Sequence, residues 1–271
     1  MDTGAAGSRP AIATCFGGGG AFGIGFDIGV ATGLGQGGID VRRGPMIGTS
    51  AGSFTVAALA ADTDFEHVAA AWDRFGDVVG SKRFGIRNIT LTEDAFGAGG
   101  PLARSAHGTR AGVAMRLLTL RRTLLSMDEH RPADVVSASS SPVPLARPHR
   151  VDGIRYADGG LRSGTSADLA PPADLLLLVA PFARADQRLQ GRIGRRQVRK
   201  ESRRWAAATG GDVVTVTPTD DMVAAGFKAM AAIRDMAIGR RVHDLAIALG
   251  RETAQTLRLT HPAVVERHAA S

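Results

Sequence analysis

The sequence AIATCFGGGGAFGIGFDIGVATGL, residues 11–34, decides the fold of this chain. Its first six residues favour a short β-strand, and a run of four glycines follows. Apolar side chains then recur at the spacing of a helix, at Phe22, Phe26, Val30 and Leu34. A strand that passes through a glycine turn directly into a helix is the repeating unit of an α/β fold.

A second unit of the same kind follows. Met46 and Ile47 lead into Gly48-Thr49-Ser50-Ala51-Gly52, and residues 51–61 are rich in alanine, which favours a helix. Two later apolar runs, at residues 174–179 and 213–216, have the length and composition of parallel strands buried on both faces. We therefore expect an α/β protein with three layers, α/β/α, around a mainly parallel central sheet.

The chain has 271 residues, which predicts one domain with a core at about 11–220 and a helical C-terminal part at about 221–260. No confident strand is predicted between Gly76 and Ala133. The single cysteine, Cys15, suits a reducing compartment and core packing. No apolar run reaches the roughly 18 residues that a membrane span requires, so we expect a cytoplasmic protein.

Three short motifs together predict acyl transfer through serine. Such a reaction needs an exposed nucleophile, a base and donors for the oxyanion of the tetrahedral intermediate. A Gly-x-Ser-x-Gly turn holds a serine between a strand and a helix, so Ser50 is the candidate nucleophile. Asp158 of Asp-Gly-Gly is the candidate base. The run at Gly18, Gly19 and Gly20 exposes consecutive N–H groups that could bind the oxyanion.

In these motifs and their order the chain resembles the patatin-like phospholipase family. The segment Ala138-Ser139-Ser140-Ser141-Pro142 is also similar to a block of that family. The resemblance implies a lipid or small acyl ester as substrate, and no metal or organic cofactor. It also implies site residues, all named by position in this chain: nucleophile Ser50, base Asp158, oxyanion donors Gly18, Gly19 and Gly20, and supporting glycines Gly48, Gly52, Gly159 and Gly160.

The chain departs from the family at Phe22, where the glycine loop usually carries arginine or lysine. An apolar residue there predicts a preference for neutral or short esters, and Phe22 equally suits core packing. A Ser-Asp-His triad is an alternative mechanism, with His243 or His261 as base.

Two alternatives to an active acyl hydrolase stay open. Gly18-x-Gly20-x-x-Gly23, followed by Asp40, also fits a nucleotide-binding Rossmann-type protein. The chain could also be an inactive lipid-binding or partner-binding member of the same fold.

The positive charge of the chain is concentrated in one segment. The net charge is +7, and residues 188–204 contain eight arginine or lysine residues and one acid. Their spacing places them on one face of a helix, with Leu189, Ile193 and Trp205 off that face. This pattern is typical of a solvated helix, and it also suits contact with an anionic membrane through Arg195, Arg196, Arg199 and Lys200. Nucleic-acid binding is not expected, because aromatic residues do not interleave the basic ones.

Overall fold

The computed structural model describes residues 9–80, 88–184, 188–226 and 234–271. Its strands are β1 (Ile12–Phe16), β2 (Met46–Thr49), β3 (Arg110–Arg116), β4 (Arg122–Ser126), β5 (His149–Val151), β6 (Ile154–Asp158), β7 (Leu175–Val179) and β8 (Asp212–Val216). Its α-helices are α1 (Gly20–Gln36), α2 (Ala51–Ala60), α3 (Phe65–Gly80), α4 (Ile89–Phe96), α5 (Pro132–Ser139), α6 (Arg188–Thr209), α7 (Asp220–Gly226), α8 (Met236–Thr260) and α9 (Pro262–Ala270). The chain therefore has an α/β fold.

The described strands form one mixed sheet in the order β5-β6-β3-β2-β1-β7-β8, with β4 also paired to β3. The five strands β3, β2, β1, β7 and β8 are parallel, whereas β4, β5 and β6 form antiparallel pairs. The prediction of a mainly parallel sheet is therefore wrong. Antiparallel neighbours can be joined by short turns, so these strands lack the strand-helix alternation that marks the parallel part of the sheet.

β3 and β4 lie in the region where no confident strand was predicted. The sequence of β3 is RAGVAMR, and its alanines and glycine have weak strand preference. Helix α5 packs closely on this strand: a Cβ at Gly112 would lie only 2.7 Å from Cγ1 of Val135. Tertiary packing therefore selects small residues in β3, and the local sequence signal of a strand is lost.

Helices cover both faces of the sheet. On β1, Ile12 and Phe16 contribute to a core that includes residues of α1, α2, α3 and α8. The alternate residue Ala13 contributes to a second core with Val198 and Trp205 of α6. Every residue of β1 and β7 is buried, as continuous apolar runs predict for parallel strands between two helical layers.

Helices α1 and α8 pack with their backbones very close together. The contact face of α1 consists of Gly25, Gly29 and Gly33, and a Cβ at any of these positions would overlap a backbone carbonyl of α8. Helix α8 thus packs directly on α1, the helix that follows the glycine loop. The predicted division into a core and a helical C-terminal part remains a prediction.

Two strands meet end to end along one edge of β3. Strand β4 occupies the other edge of β3, opposite Ala111 to Met115. On the shared edge, β2 ends with Thr49 beside Val113, and the antiparallel β6 ends with Asp158 beside Ala114. The residues that follow β2 and the last residue of β6 therefore meet at one point, at the carboxyl edge of the parallel strands.

Asp27 of α1 is fully buried, and neither oxygen of its carboxyl group has a hydrogen-bond partner within the described residues. Burial raises the pKa of Asp27 well above its ordinary value of 3.8. The folded state therefore keeps a proton that the unfolded chain releases. The free energy of unfolding should fall as the pH rises from about 3.8 through the raised pKa.

Asp27→Asn should lack this loss, because an amide does not titrate. The variant should gain stability relative to the unaltered chain as the pH rises. Urea unfolding at a series of pH values measures the difference. A difference that stays constant from acid to neutral pH would contradict the prediction.

Candidate active site

Ser50 lies on a strained turn between β2 and α2. Its backbone has φ 53° and ψ −114°, a region that costs a residue with a side chain about 1–3 kcal/mol. The turn is compact because a Cβ at Gly48 would overlap the backbone of Gly52, and a Cβ at Gly52 would overlap the carbonyl of Phe16. Ser50 thus has the strand-to-helix elbow geometry that Gly-x-Ser-x-Gly predicts.

The hydroxyl of Ser50 donates a hydrogen bond directly to the carboxylate of Asp158. Ser50 Oγ and Asp158 Oδ2 are 2.8 Å apart, and the N–H of Gly160 donates to Asp158 Oδ1 at 2.7 Å. Asp158 is only 6% exposed. Burial raises its pKa from 3.8 to about 6, against the lowering effect of the two hydrogen bonds. A carboxylate with a raised pKa beside a hydroxyl can accept its proton.

The two glycines after Asp158 each have a steric role. A Cβ at Gly159 would overlap the carbonyl of Val113 on β3. A Cβ at Gly160 would lie 2.9 Å from Oδ1 of Asp158, on the side where the Gly160 N–H donates. Small residues at both positions therefore allow the turn to hold the carboxylate against Ser50.

The segment at residues 138–142 holds both members of the Ser50–Asp158 pair. Ser139 Oγ accepts the N–H of Ser50 at 2.9 Å and donates to the carbonyl of Val113 at 2.8 Å. The carbonyl of Ser141 accepts the N–H of Asp158 at 2.9 Å. The motif predicted this segment, but no role for Ser139. Its buried hydroxyl fixes the backbone of the elbow.

The glycine loop offers a different set of donors from the one predicted. The N–H of Gly18 donates to the carbonyl of Gly164 at 2.7 Å, so it is not free to bind an oxyanion, and its assignment as a donor is corrected. The N–H groups of Gly19 and Gly20 have no acceptor among the described residues. The loop passes beside the elbow, since a Cβ at Gly18 would lie 3.3 Å from Cβ of Ser50.

Sequence reasoning missed a further donor, Ala51. Its N–H opens α2 directly after Ser50 and has no acceptor in the described part of the chain. In elbows of this kind the residue after the nucleophile commonly contributes to the oxyanion hole. Helices α1 and α2 start close together here, since a Cβ at Gly23 would lie 3.0 Å from Cβ of Ala51. Both positive helix ends therefore lie close to Ser50.

Neither candidate histidine contacts Ser50 or Asp158. His243 stacks on Phe65 with ring centroids 4.1 Å apart. His261 contacts Thr260 at 2.8 Å and Asp212 at 3.7 Å. Asp212 begins β8, so His261 lies at the amino edge of the parallel strands, away from the elbow. The geometry thus favours direct Ser50–Asp158 contact over a triad.

Three other residues that the sequence analysis considered, Asp40, Phe22 and Cys15, are explained by their structural contacts. Asp40 accepts hydrogen bonds from the guanidinium and backbone N–H of Arg42, so its carboxylate is not free for a ribose. Phe22 is buried and stacks on Phe26 at 6.3 Å, which is core packing. Cys15 is buried, and burial raises the pKa of its thiol, which disfavours the reactive thiolate.

Helix α6 fixes the loop that follows Asp158. Gln197 donates to the carbonyl of Arg162 at 2.8 Å. One turn later, Glu201 Oε2 accepts the hydroxyl of Thr165 at 2.9 Å and the N–H of Ala167 at 3.1 Å. This loop contains Gly164, whose carbonyl holds the N–H of Gly18. Helix α6 therefore positions the glycine loop indirectly, through its hydrogen bonds to residues 162–167.

The basic face of α6 is exposed in part. Arg196, Arg199 and Lys200 are exposed and have no acidic partner among the described residues. Arg195 is half-buried, and its Nε has no hydrogen-bond partner there. Ile193 is 58% exposed, so the expectation that it packs on the domain is wrong, and Leu189 lies outside the described side chains. The packed face of α6 instead consists of Val198, Glu201 and Trp205.

A small cavity of about 20 Å³ lies between the glycine loop and α6. Its walls include Gly18, Gly164, Pro181, Ala183 and Val198. Because Gly18 also lies against Ser50, the cavity adjoins the elbow. A cavity of this size holds about one water molecule.

Metal-binding clusters and membrane spans are both absent from the described residues. These residues contain no group of three or more His, Cys, Asp or Glu side chains arranged to hold a metal ion. Within the same ranges, no helix has both the length and the apolar composition needed to cross a bilayer.

No sequence model of a known protein family matches the chain, and no curated protein matches it. Among solved structures, VipD from Legionella pneumophila is similar at 13% sequence identity with a TM-score of 0.40. The match covers 89% of this chain and 67% of VipD.

Proposed function

We propose that this chain is a patatin-like serine acyl hydrolase that cleaves lipid or small acyl esters through Ser50 and Asp158. One observation carries the proposal: the 2.8 Å hydrogen bond from a serine on a strained elbow to a buried carboxylate. Backbone strain with positive φ gives no benefit to a structural serine. In a nucleophile elbow it exposes the hydroxyl and points it toward the substrate.

In the first step, Ser50 Oγ attacks the carbonyl carbon of the ester while Asp158 Oδ2 takes its proton. The N–H of Gly160 holds Oδ1 of the same carboxyl group and keeps it oriented. Negative charge then develops on the former carbonyl oxygen. The N–H groups of Gly19, Gly20 and Ala51 supply the candidate donors for that charge, and one such donor typically contributes about 10² to 10³ in rate.

In the second step, the tetrahedral intermediate collapses, and the protonated Asp158 gives its proton to the departing alkoxide. An acyl group remains esterified to Ser50. Water then attacks this acyl-enzyme with Asp158 again as base, which releases the acid and restores the hydroxyl of Ser50. Each step uses the same Ser50–Asp158 contact, so no histidine and no cofactor enters the scheme.

The cavity beside Gly18 supports a preference for short acyl groups. It adjoins the elbow, and its walls at Pro181, Ala183 and Val198 are apolar. Its volume of about 20 Å³ leaves no room for a long acyl chain. This agrees with the expectation of neutral or short esters. Phe22 is fully buried, so the preference is assigned to the cavity and not to this side chain.

The pH dependence of turnover tests the proposal. Asp158 must be ionised to accept a proton, and its pKa is raised to about 6. The value of kcat/KM for a short 4-nitrophenyl ester should therefore rise about tenfold per pH unit below pH 6 and level off above it. Stopped assays over the acid to neutral range measure the profile.

Circular dichroism at each pH separates loss of chemistry from loss of fold. Absence of turnover at every pH in a folded sample would contradict the proposal and favour an inactive member of the fold. A midpoint that moves when His243 or His261 is changed to alanine would favour the triad.

We further propose that the exposed part of α6 contacts anionic membrane. Arg196, Arg199 and Lys200 offer three exposed cations, and Arg195 lies beside them. Each basic residue near an anionic surface contributes about 1 kcal/mol before screening by salt. The N-terminal half of this helix borders the cavity and the loop after Asp158, so the contact would bring the site close to lipid.

A further inference from the structure

A hairpin with exposed leucines joins β3 to β4. We call residues 116–121, RLLTLR, the leucine hairpin. The side chain of Leu118 is 98% exposed and that of Leu120 is 60% exposed. A single exposed apolar residue is ordinary, but two large ones at the tip of one turn indicate a surface for contact.

The leucine hairpin is a well-ordered turn with an unfavourable residue in it. The N–H of Arg116 donates to the carbonyl of Arg121 at 2.9 Å, and the N–H of Leu120 donates to the carbonyl of Arg116 at 2.8 Å. Leu120 has φ 53°, a conformation that glycine or asparagine adopts at lower cost. The backbone conformation therefore does not explain a leucine at this position. A contact made by its exposed side chain would explain it.

The leucine hairpin lies at the same edge of the sheet as Ser50. On β3, Val113 is level with Thr49, the residue before Ser50. From Val113 the strand continues for three residues to its end at Arg116, a rise of roughly 10 Å at about 3.3 Å per residue, and the turn with Leu118 and Leu120 follows. The leucines thus project beyond the elbow, in the direction in which β2 points.

Cations surround the leucine hairpin. Arg116, Arg121 and Arg155 are exposed and have no acidic partner within the described ranges. Arg155 lies near the start of the adjoining strand β6, and its carbonyl accepts the N–H of Leu117 at 3.0 Å. The acid on the turn between β5 and β6, Asp152, lies 3.6 Å from the ring of His130. The tip therefore combines apolar side chains with a net positive rim.

We propose that the leucine hairpin inserts Leu118 and Leu120 into an anionic lipid bilayer, with Arg116, Arg121 and Arg155 at the level of the lipid phosphates. A protein interface of standard size needs roughly 800 Å² on each partner. Two leucines at a narrow tip do not supply such a patch, but they suit the boundary between headgroups and acyl chains. The insertion itself does not depend on the proposed function. The proposed function supplies only the reason why docking to lipid would be useful.

Site-specific labelling tests the insertion. Cys15 is buried and is the only cysteine, so Leu118→Cys can be labelled with a polarity-sensitive dye. Leu259→Cys is the matched control, because Leu259 is 84% exposed on α8. Both carry Ser50→Ala, which removes turnover. Phosphatidylcholine vesicles with phosphatidylglycerol should shift the emission of the dye at position 118 to the blue and leave position 259 unchanged.

Vesicle sedimentation provides a second, independent test of the insertion. Leu118→Ser should weaken sedimentation with the same vesicles about tenfold, because the variant no longer buries a large apolar side chain in the bilayer. Leu259→Ser should leave it unchanged, and neither change should alter the melting temperature. Changing Arg195, Arg196, Arg199 and Lys200 to Gln should instead reduce the salt-sensitive part of binding.

Equal dye responses at the two positions, or a response to DNA and not to vesicles, would overturn the proposal. Ester turnover is measured separately on the unlabelled chain with a water-soluble substrate. Loss of the docking proposal and loss of the hydrolase proposal are therefore distinguishable.

Discussion

Ser50→Ala should lower ester turnover by about 10⁴-fold or more, because no other described group in the site can form the acyl-enzyme. The change removes one oxygen and keeps the elbow glycines. Its effect on folding should be small, and alanine bears the same left-handed backbone strain as serine. Initial rates with a short 4-nitrophenyl ester, together with circular dichroism, measure both properties.

A matched control separates this effect from a general loss of serine hydroxyls. The hydroxyl of Ser105 accepts only the exposed N–H of His107, far along the chain from the site motifs. Ser105→Ala should therefore keep full activity. Turnover by Ser50→Ala at a tenth of the normal rate or more would mean that another nucleophile or a bound water performs the reaction.

Asp158→Asn should lower kcat by about 10³-fold, since an amide cannot take the proton of Ser50. The amide keeps the size of the carboxyl group, and its oxygen can still accept the N–H of Gly160. The KM should change little, because Asp158 holds the proton of Ser50 and not the substrate. The loss in kcat with an unchanged KM is measured by steady-state kinetics.

The same variant should gain stability while it loses activity. A buried carboxyl whose pKa rises from 3.8 to about 6 destabilises the folded state at neutral pH by up to about 3 kcal/mol. The sign follows because the folded state holds the proton more tightly than the unfolded chain between these values, so stability falls as the pH rises through them. The neutral amide of the variant lacks this cost, and urea unfolding at neutral pH should show a higher midpoint.

The histidines give the control for Asp158→Asn. His243→Ala and His261→Ala should each keep activity within about twofold, because neither ring contacts Ser50 or Asp158. A loss in either variant as large as that in Asp158→Asn would contradict a direct role of Asp158 as base. A lower urea midpoint in Asp158→Asn would mean that its lost activity reflects damage to the fold.

The sequence predicted the parts of the fold in which local signals and packing agree. The run from Ile12 through the glycines into α1 has strand-forming residues, a turn and helical periodicity in order. The elbow at Ser50 could be predicted because only glycine fits beside it at Gly48 and Gly52. The structure brings Ser50 and Asp158 together as the motifs suggested, and their catalytic role remains a prediction.

The sequence did not predict β3, although this strand aligns the ends of β2 and β6. Its Gly112 is small because Val135 packs against it, and that contact joins residues far apart in the chain. The role of Gly18 was misassigned for a similar reason. Its N–H is occupied by Gly164, a partner that a local motif cannot reveal. Among the described residues, the free donors are therefore Gly19, Gly20 and the unpredicted Ala51.

The central claim is that Ser50 is the nucleophile and Asp158 its base. The most direct measurement is peptide mapping by mass spectrometry after brief treatment with a fluorophosphonate, on the unaltered chain and on Asp158→Asn. One adduct should form, on Ser50, and it should form much more slowly in Asp158→Asn. An adduct on a different residue, or none on a folded sample, would contradict the account.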